Sequence, residues 1–212
     1  MTLAVLADDV LKQDLLTKGV PAETDIVWAD SLQSLLIIDA DVYMDLLFVM
    51  DPERIGRLKR ISSKPVLVNA VTFSTRAIGA DLIRINAWPG MLQRPVTEIA
   101  LPATMNEQVV KDIFERLQWS YQTAPDVPGM ITARVLAMII NEAFYTWEAG
   151  VSSKQEIDIA MKLGTNYPLG PFEWVEVIGA QRVYELLHEL SRTDVRYTPA
   201  DALVKEAGML ND

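Results

Sequence analysis

Short apolar runs and helical stripes alternate along the first 125 residues. Thr2 to Ala7 is an apolar run closed by Asp8-Asp9, and Val10 to Leu16 follows at helical spacing up to Lys18-Gly19. That pattern predicts a strand and then a helix. Thr24 to Trp28 predicts a second strand, and Ser31 offers a cap for a short helix through Leu36. Val42 to Met50 is a further apolar run bounded by Asp51-Pro52, and Pro at a first turn starts a helix from Pro52 to about Ile61. Pro65 to Ala70 and Leu82 to Ala87 predict two more strands, Asn106 to Leu117 a helix, and Trp119 to Thr123 a last strand. Strands alternating with helices through short loops imply a parallel sheet of the Rossmann kind, with a ligand beyond the C-terminal strand ends.

After Pro125 the strand signal stops, which places a boundary near Asp126 and divides the chain into 1–125 and 126–212. Residues 130 to 147 hold no Gly or Pro and set Ile131, Val135, Met138, Ile139, Ala143 and Trp147 at helical intervals, predicting a long, mostly buried helix opened by Pro128-Gly129. Gly150 tolerates the backbone at its end. Ser152-Ser153 ahead of Gln155-Glu156 caps the next helix, which carries Ile157, Ala160, Met161 and Leu163 and is expected to stop at Gly164. A punctuated loop to Gly170-Pro171 precedes another helix from near Phe172. The predicted fold is α/β: a Rossmann-like parallel sheet domain followed by an all-α domain. No internal repeat or low-complexity segment is present.

Composition narrows the function. Half of the 212 residues are hydrophobic, enough for a buried core, yet no run approaches the ~18–20 apolar residues of a membrane span. Leu3 to Val5 lies behind no basic segment and is followed by Asp8-Asp9, so a secretory signal is not expected and the cytoplasm is the expected location. With no Cys and one His, disulfides, thiolate metal sites and His clusters are excluded. The net charge of −10 opposes a polyanionic partner, because each phosphate contact needs a cation. Neither nucleic acid nor membrane is therefore an expected partner.

The segments D-V-P-G-M-I-T-A-R-V-L from Asp126, N-E-A from Asn141, E-A-G-V-S-S from Glu148, I-D-I-A-M-K-L-G from Ile157, P-L-G-P-F-E from Pro168 and I-G at Ile178 stand in one order. Together they resemble the C-terminal helical domain of the 3-hydroxyacyl-CoA dehydrogenases, a domain of the 6-phosphogluconate dehydrogenase C-terminal-like kind. The resemblance is close over about the last ninety residues, moderate over the strands before them, and only in outline over the first sixty. It implies NAD-dependent oxidation of a 3-hydroxyacyl-CoA in fatty acid metabolism, a His base oriented by a Glu, and dimerisation through the helical domain.

Several positions depart from what that resemblance implies. Where G-x-G-x-x-G would bring backbone close to a pyrophosphate, this chain reads V-L-A-D-D-V-L-K, with Ala7, Asp9 and Lys12 at the three Gly positions. A Cβ there would clash and two carboxylates would repel a diphosphate; the plainer role of Asp8 or Asp9 is to cap a helix. No cofactor is expected, with NAD returning only if the family's activity is retained. The G-L-H-F-F-N-P-like segment corresponds to Arg84-Ile85-Asn86-Ala87-Trp88-Pro89-Gly90, so Asn86 stands in place of the His, and Glu98 falls where the orienting Glu would be. An Asn amide hydrogen-bonds to a thioester or hydroxyl oxygen but takes no proton near neutral pH. Asn86 and Glu98 are thus the vestigial catalytic positions.

The family's Asn in P-G-F-I-x-N-R becomes Ala133, and its Asn-Thr-Ser-Ser run becomes Asn69-Ala70-Val71-Thr72, leaving Asn69 and Thr72 as candidate substrate contacts. Arg134 and Asn141 match the family and read as ties between helices. Glu98 reads as a buried acid, a helix-end contact or a ligand contact, His188 as a surface or helix-end residue, and Trp147, Phe172 and Trp174 as core. The family's K-T-G-x-G-F-Y tail has no counterpart in the Gly208 to Asp212 segment. The expectation is a 3-hydroxyacyl-CoA dehydrogenase-like protein without NAD-dependent catalysis, kept for binding an acyl-CoA-like molecule or for assembly as a homodimer through the helical domain. The other reading is an active dehydrogenase. The acidic net charge counts against CoA phosphates, although a local basic patch would meet them.

Overall fold

A computed structural model describes residues 1–209, so the last three positions, in the segment compared above with the family's tail, lie outside the described residues. The chain forms two compact units, Met1–Met130 and Ile131–Asp212, and Asp126 belongs to the first.

The first unit runs β1 (Thr2–Leu6), α1 (Asp9–Lys18), β2 (Asp25–Ala29), α2 (Leu32–Ile37), β3 (Val42–Asp45), α3 (Pro52–Leu58), β4 (Val66–Val68), α4 (Thr75–Ile78), β5 (Ile83–Ile85), β6 (Val96–Ala100), α5 (Glu107–Leu117) and β7 (Ser120–Thr123). Its seven strands form one sheet in the order β2-β1-β3-β4-β5-β6-β7. Strand β1 is buried on both faces, as a strand covered by helices on each side must be: Leu3 and Val5 face a core with Leu11 and Leu15 of α1 and Val110, Ile113, Phe114 and Leu117 of α5, whereas Ala4 and Leu6 face Leu35, Ile55 and Leu58.

The sheet is parallel, as expected, at every pairing but one. Strands β5 and β6 pair antiparallel, Arg84 opposite Ala100 and Ile85 opposite Ile99. No crossover helix joins them; the chain turns back through Asn86 to Pro95, with Gly90 at φ 80°. Strand β6 is not marked by the sequence pattern, because the adjacent polar residues Thr97 and Glu98 interrupt its apolar run. The Val42 to Met50 run is a strand only to Asp45, and α3 ends at Leu58 before a tighter turn over Lys59–Ile61.

The second unit holds α6 (Thr132–Glu148), α7 (Lys154–Thr165), α8 (Pro171–Ile178), α9 (Ala180–Ser191) and α10 (Asp201–Glu206), with α6 packed against each of the other four. The predicted buried face of α6 is corrected. Its core stripe is Ala133, Ala137, Ile140, Asn141, Ala143 and Phe144, so Ala143 is buried as predicted while Val135 is 54% exposed. Apolar residues lie on both sides of this helix, so periodicity fits two stripes; the small Ala133 and Ala137 let neighbours approach. Asn141 is buried because its amide donates to Thr198 O at 2.8 Å and accepts from Ala200 N at 2.8 Å. Helix α7 passes through Gly164 rather than stopping there, because Asn166 takes the left-handed cap at φ 56°. Gly170 before α8 admits no Cβ, which would run into the Asp158 carboxylate that accepts from Phe172 N at 2.8 Å. Among the described residues, no helix is long and apolar enough to cross a membrane.

Arg84, in the middle of β5, is completely buried. Its guanidinium donates to Ala70 O at 2.8 Å, Val71 O at 3.0 Å, Val127 O at 3.3 Å and the Asp126 carboxylate at 2.7 Å. Asp126 also accepts from Thr75 N at 2.9 Å and Thr75 Oγ1 at 2.6 Å. Burial pushes the Asp126 carboxyl up, but the Thr75 and Arg84 donors outweigh it and hold it below the usual carboxylate range. Replacing Arg84 by Met leaves Ala70 O without its donor and takes one bond each from Val71 O, Val127 O and the Asp126 carboxylate, so Arg84→Met is expected to lose about 3–5 kcal/mol in urea unfolding. A carboxylate with a lowered folded pKa stabilises the fold above its unfolded pKa and loses that contribution as pH falls through the folded value. Asp126→Asn should therefore flatten part of the acid limb of the stability curve, measured as urea midpoint against pH.

Candidate functional site

Residues at the C-terminal ends of β1, β3, β4 and β5 surround the place where such sheets take ligands, and the strand order reverses between β1 and β3. Asn69, just past β4, donates through Nδ2 to Leu46 O at 3.2 Å and to Ala87 O at 2.9 Å, and accepts from Ala87 N at 3.1 Å. It therefore brackets the ends of three neighbouring strands, and most of its amide is used by the fold itself. Thr72 is half-buried, and its hydroxyl is not engaged by any hydrogen bond among the described residues.

Asn86 leaves β5 beside Glu98 of β6. Its backbone N donates to Glu98 O at 2.9 Å, and its Nδ2 donates to Glu98 Oε2 at 3.2 Å. The antiparallel turn thus brings together two residues twelve positions apart in the chain. Asn86 is 4% exposed, so the amide is packed with its partner. Arg84 lies two residues earlier on the same face of β5. Burial pulls its guanidinium down from the ordinary value, and the carboxylates of Asp126 and Glu98 pull it back up.

At the mouth of α1, Asp8 is the N-cap and accepts from Leu11 N at 2.9 Å, while Asp8 and Asp9 are both exposed. Ala7 is buried behind them. Lys12 reaches sideways over the Trp28 ring at 5.7 Å.

Two buried carboxylates of the sheet unit are marked by no motif of the sequence. Asp45 ends β3 fully buried, held by Arg54 through Nε at 2.8 Å and Nη2 at 2.5 Å; burial pushes its carboxyl up against the pull of Arg54. The available signal was an Asp closing an apolar strand with an Arg in the next helix's first turn. Asp14 sits between Leu11 and Leu15 on the buried face of α1 and accepts from Gly90 N at 2.7 Å and Gln93 Nε2 at 2.6 Å, fixing the loop after Asn86.

In the second unit, His188 is exposed in the last turn of α9 and stacks on Tyr184 at 5.5 Å, so it ends a helix as expected. Ala133 is buried, and Arg134 Nη1 donates to the Tyr197 hydroxyl at 3.4 Å. Phe172 is core, but Trp147 is 38% exposed and Trp174 half-buried, which corrects their placement in the core: both sit at its rim. Among the described residues no group of three His, Cys, Asp or Glu is arranged to hold a metal.

The (S)-3-hydroxybutyryl-CoA dehydrogenase PaaH1 of Ralstonia eutropha superposes with a TM-score of 0.73 over 96% of this chain and 92% of its own, at 18% identity, which establishes the shared fold. The sequence model for the 3-hydroxyacyl-CoA dehydrogenase C-terminal domain matches residues 129–209. Residues 129–209 are thus similar to the C-terminal domain of the 3-hydroxyacyl-CoA dehydrogenases. The chain is 39% identical to the 3-hydroxyadipyl-CoA dehydrogenase of Escherichia coli over 53% of this chain and 25% of that protein. It is 29% identical to a probable 3-hydroxybutyryl-CoA dehydrogenase of Deinococcus radiodurans over 82% of this chain and 63% of that protein. The chain spans less than two thirds of the length of these curated relatives.

The Asn69 bracket makes a prediction independent of ligand. Asn69→Ala is expected to destabilise the fold by about 1–3 kcal/mol, because buried backbone groups at two strand ends lose their partner. Thr72→Val should stay within about 0.5 kcal/mol. Urea unfolding of the pair measures both.

Proposed function

We propose that this chain is a 3-hydroxyacyl-CoA dehydrogenase-like protein without NAD-dependent oxidation, whose scaffold serves binding of an acyl-CoA-type molecule and assembly as a homodimer. The observation that carries the reading is Asn86 against Glu98. Oxidation of a 3-hydroxyl needs a group that takes its proton as hydride leaves, and an amide does not. The same pair suits binding: the Asn86 amide has a second N–H and Thr72 a hydroxyl, both able to donate to a thioester carbonyl. The acyl-CoA class comes from the relatives, which are named for 3-hydroxyadipyl-CoA and 3-hydroxybutyryl-CoA.

The residues present do not fit NAD in the manner of a Gly-rich loop. The Asp8 carboxylate already accepts from Leu11 N in the first turn of α1, and two exposed carboxylates face the position of a diphosphate. No hydride step is therefore derived. NADH titration is expected to give no saturable fluorescence change at micromolar concentration. The native chain should form no NADH from a 3-hydroxyacyl-CoA and NAD, and Asn86→His alone should not create the activity. NADH formation above a heat-treated control would return the protein to the active dehydrogenases.

The dimer reading is supported by the exposed side of α6. Val135, Met138 and Ile139 line a groove, with Arg134 and Glu142 one turn to either side of Met138. A two-fold axis through Met138 would set Arg134 of one copy against Glu142 of the other, the self-complementarity an isologous interface requires. Sedimentation is expected to show a dimer for the native chain and a shift toward monomer for Met138→Glu, with affinity at least about tenfold weaker. A native monomer at high concentration would remove this part of the reading.

A further inference from the structure

Lys154 occupies the first turn of α7, the end of a helix where the dipole disfavours a cation. Its ammonium does not turn away into water. It lies 5.1 Å from the ring centre of Phe144, 4.4 Å from that of Trp147 and 5.0 Å from that of Phe172. These rings, two from α6 and one from α8, meet edge to face: Phe144 and Trp147 at 6.3 Å and 77°, Phe144 and Phe172 at 5.0 Å and 63°, Trp147 and Phe172 at 6.4 Å and 79°. Phe144 and Phe172 are buried, so their positions are set by the core and not by the lysine. The open side is closed by the Glu206 carboxylate of α10, which accepts from the same ammonium.

Three aromatic faces converging on one cation, with a carboxylate beside them, form the chemistry that recognises alkylammonium groups. We infer that Phe144, Trp147, Phe172 and Glu206 form an alkylammonium-binding box in the helical unit, with Lys154 as its internal ligand. The tether gives Lys154 a high effective concentration, so a free ammonium does not displace it from the native chain. By filling the box, Lys154 joins α7 to α6, α8 and α10. An isolated surface ion pair with Glu206 contributes too little to hold a long side chain in one place; the rings supply the remainder. The inference is independent of the function proposed above, since it uses no residue of the sheet unit and none of the Arg134 to Glu142 stripe proposed for the dimer.

The test compares choline with its uncharged isostere 3,3-dimethylbutan-1-ol, both titrated into folded Lys154→Ala by calorimetry. Choline is expected to bind that variant saturably and at least about tenfold more tightly than the isostere, and to bind the native chain not at all over the same range. Equal binding of the two, or no binding by the folded variant, overturns the box. Should Lys154→Ala fail to fold, the native chain is reductively methylated with ¹³C-formaldehyde, which keeps each lysine cationic. The dimethyl signal of Lys154, identified by its loss in Lys154→Arg, is expected upfield of the other lysines under the ring currents of the three faces. A Lys154 signal coincident with those of exposed lysines overturns the inference.

Discussion

A fully buried guanidinium is the constraint around which the sheet unit is arranged. Arg84 sits where a central strand would ordinarily carry an apolar side chain, and desolvating it is tolerable only with its hydrogen-bonding edge occupied. The occupants come from two distant stretches: carbonyls of the loop after β4, and the carbonyl and carboxylate of the segment after β7. Gly129 N adds a bond to Val71 O at 2.8 Å. One side chain therefore determines how the loop holding Thr72 and the segment through Asp126 run. It also sets a cation on the strand face that carries Asn86.

How much of this was readable from the residues depends on how local each determinant is. The strands β1 to β5 and the helices α1, α5 and α6 declare themselves through runs and stripes of their own residues, and they stand near where the pattern puts them. Strand β6 does not, because its identity depends on pairing back along β5 through a Pro-Gly turn, which no periodicity encodes. The face of α6 was assigned wrongly for a related reason. Val135 and Ile139 are as apolar as Ile140 and Phe144, and only the neighbouring helices decide which stripe is covered.

The site shows the same division. Asn86 and Glu98 were identified through spaced motifs, and the hairpin-like pairing of β5 with β6 then places them side by side. Asn69 was read as a ligand contact from its position after a strand, yet its hydrogen bonds go to Leu46 and Ala87, which are remote in sequence. Asp14 and Asp45 were passed over since a single Asp in an apolar stretch resembles a cap or turn. Their partners, Gly90, Gln93 and Arg54, lie on other elements. Polar groups whose meaning resides in long-range partners are the ones that sequence leaves dark.

The strand order has a consequence for how copies of this chain meet. Its outer strands are β2 and β7, each with one edge that pairs with no other strand among the described residues. Strand β2 is bracketed by Asp25 at its start and Asp30 just past its end, and β7 is four residues long with Ser120, Gln122 and Thr123 exposed. Short length and flanking charge are what keep open sheet edges from templating another sheet. Edge-to-edge pairing of sheets into fibres is thereby discouraged at both borders, and repulsion between copies that each carry a net charge of −10 works in the same direction.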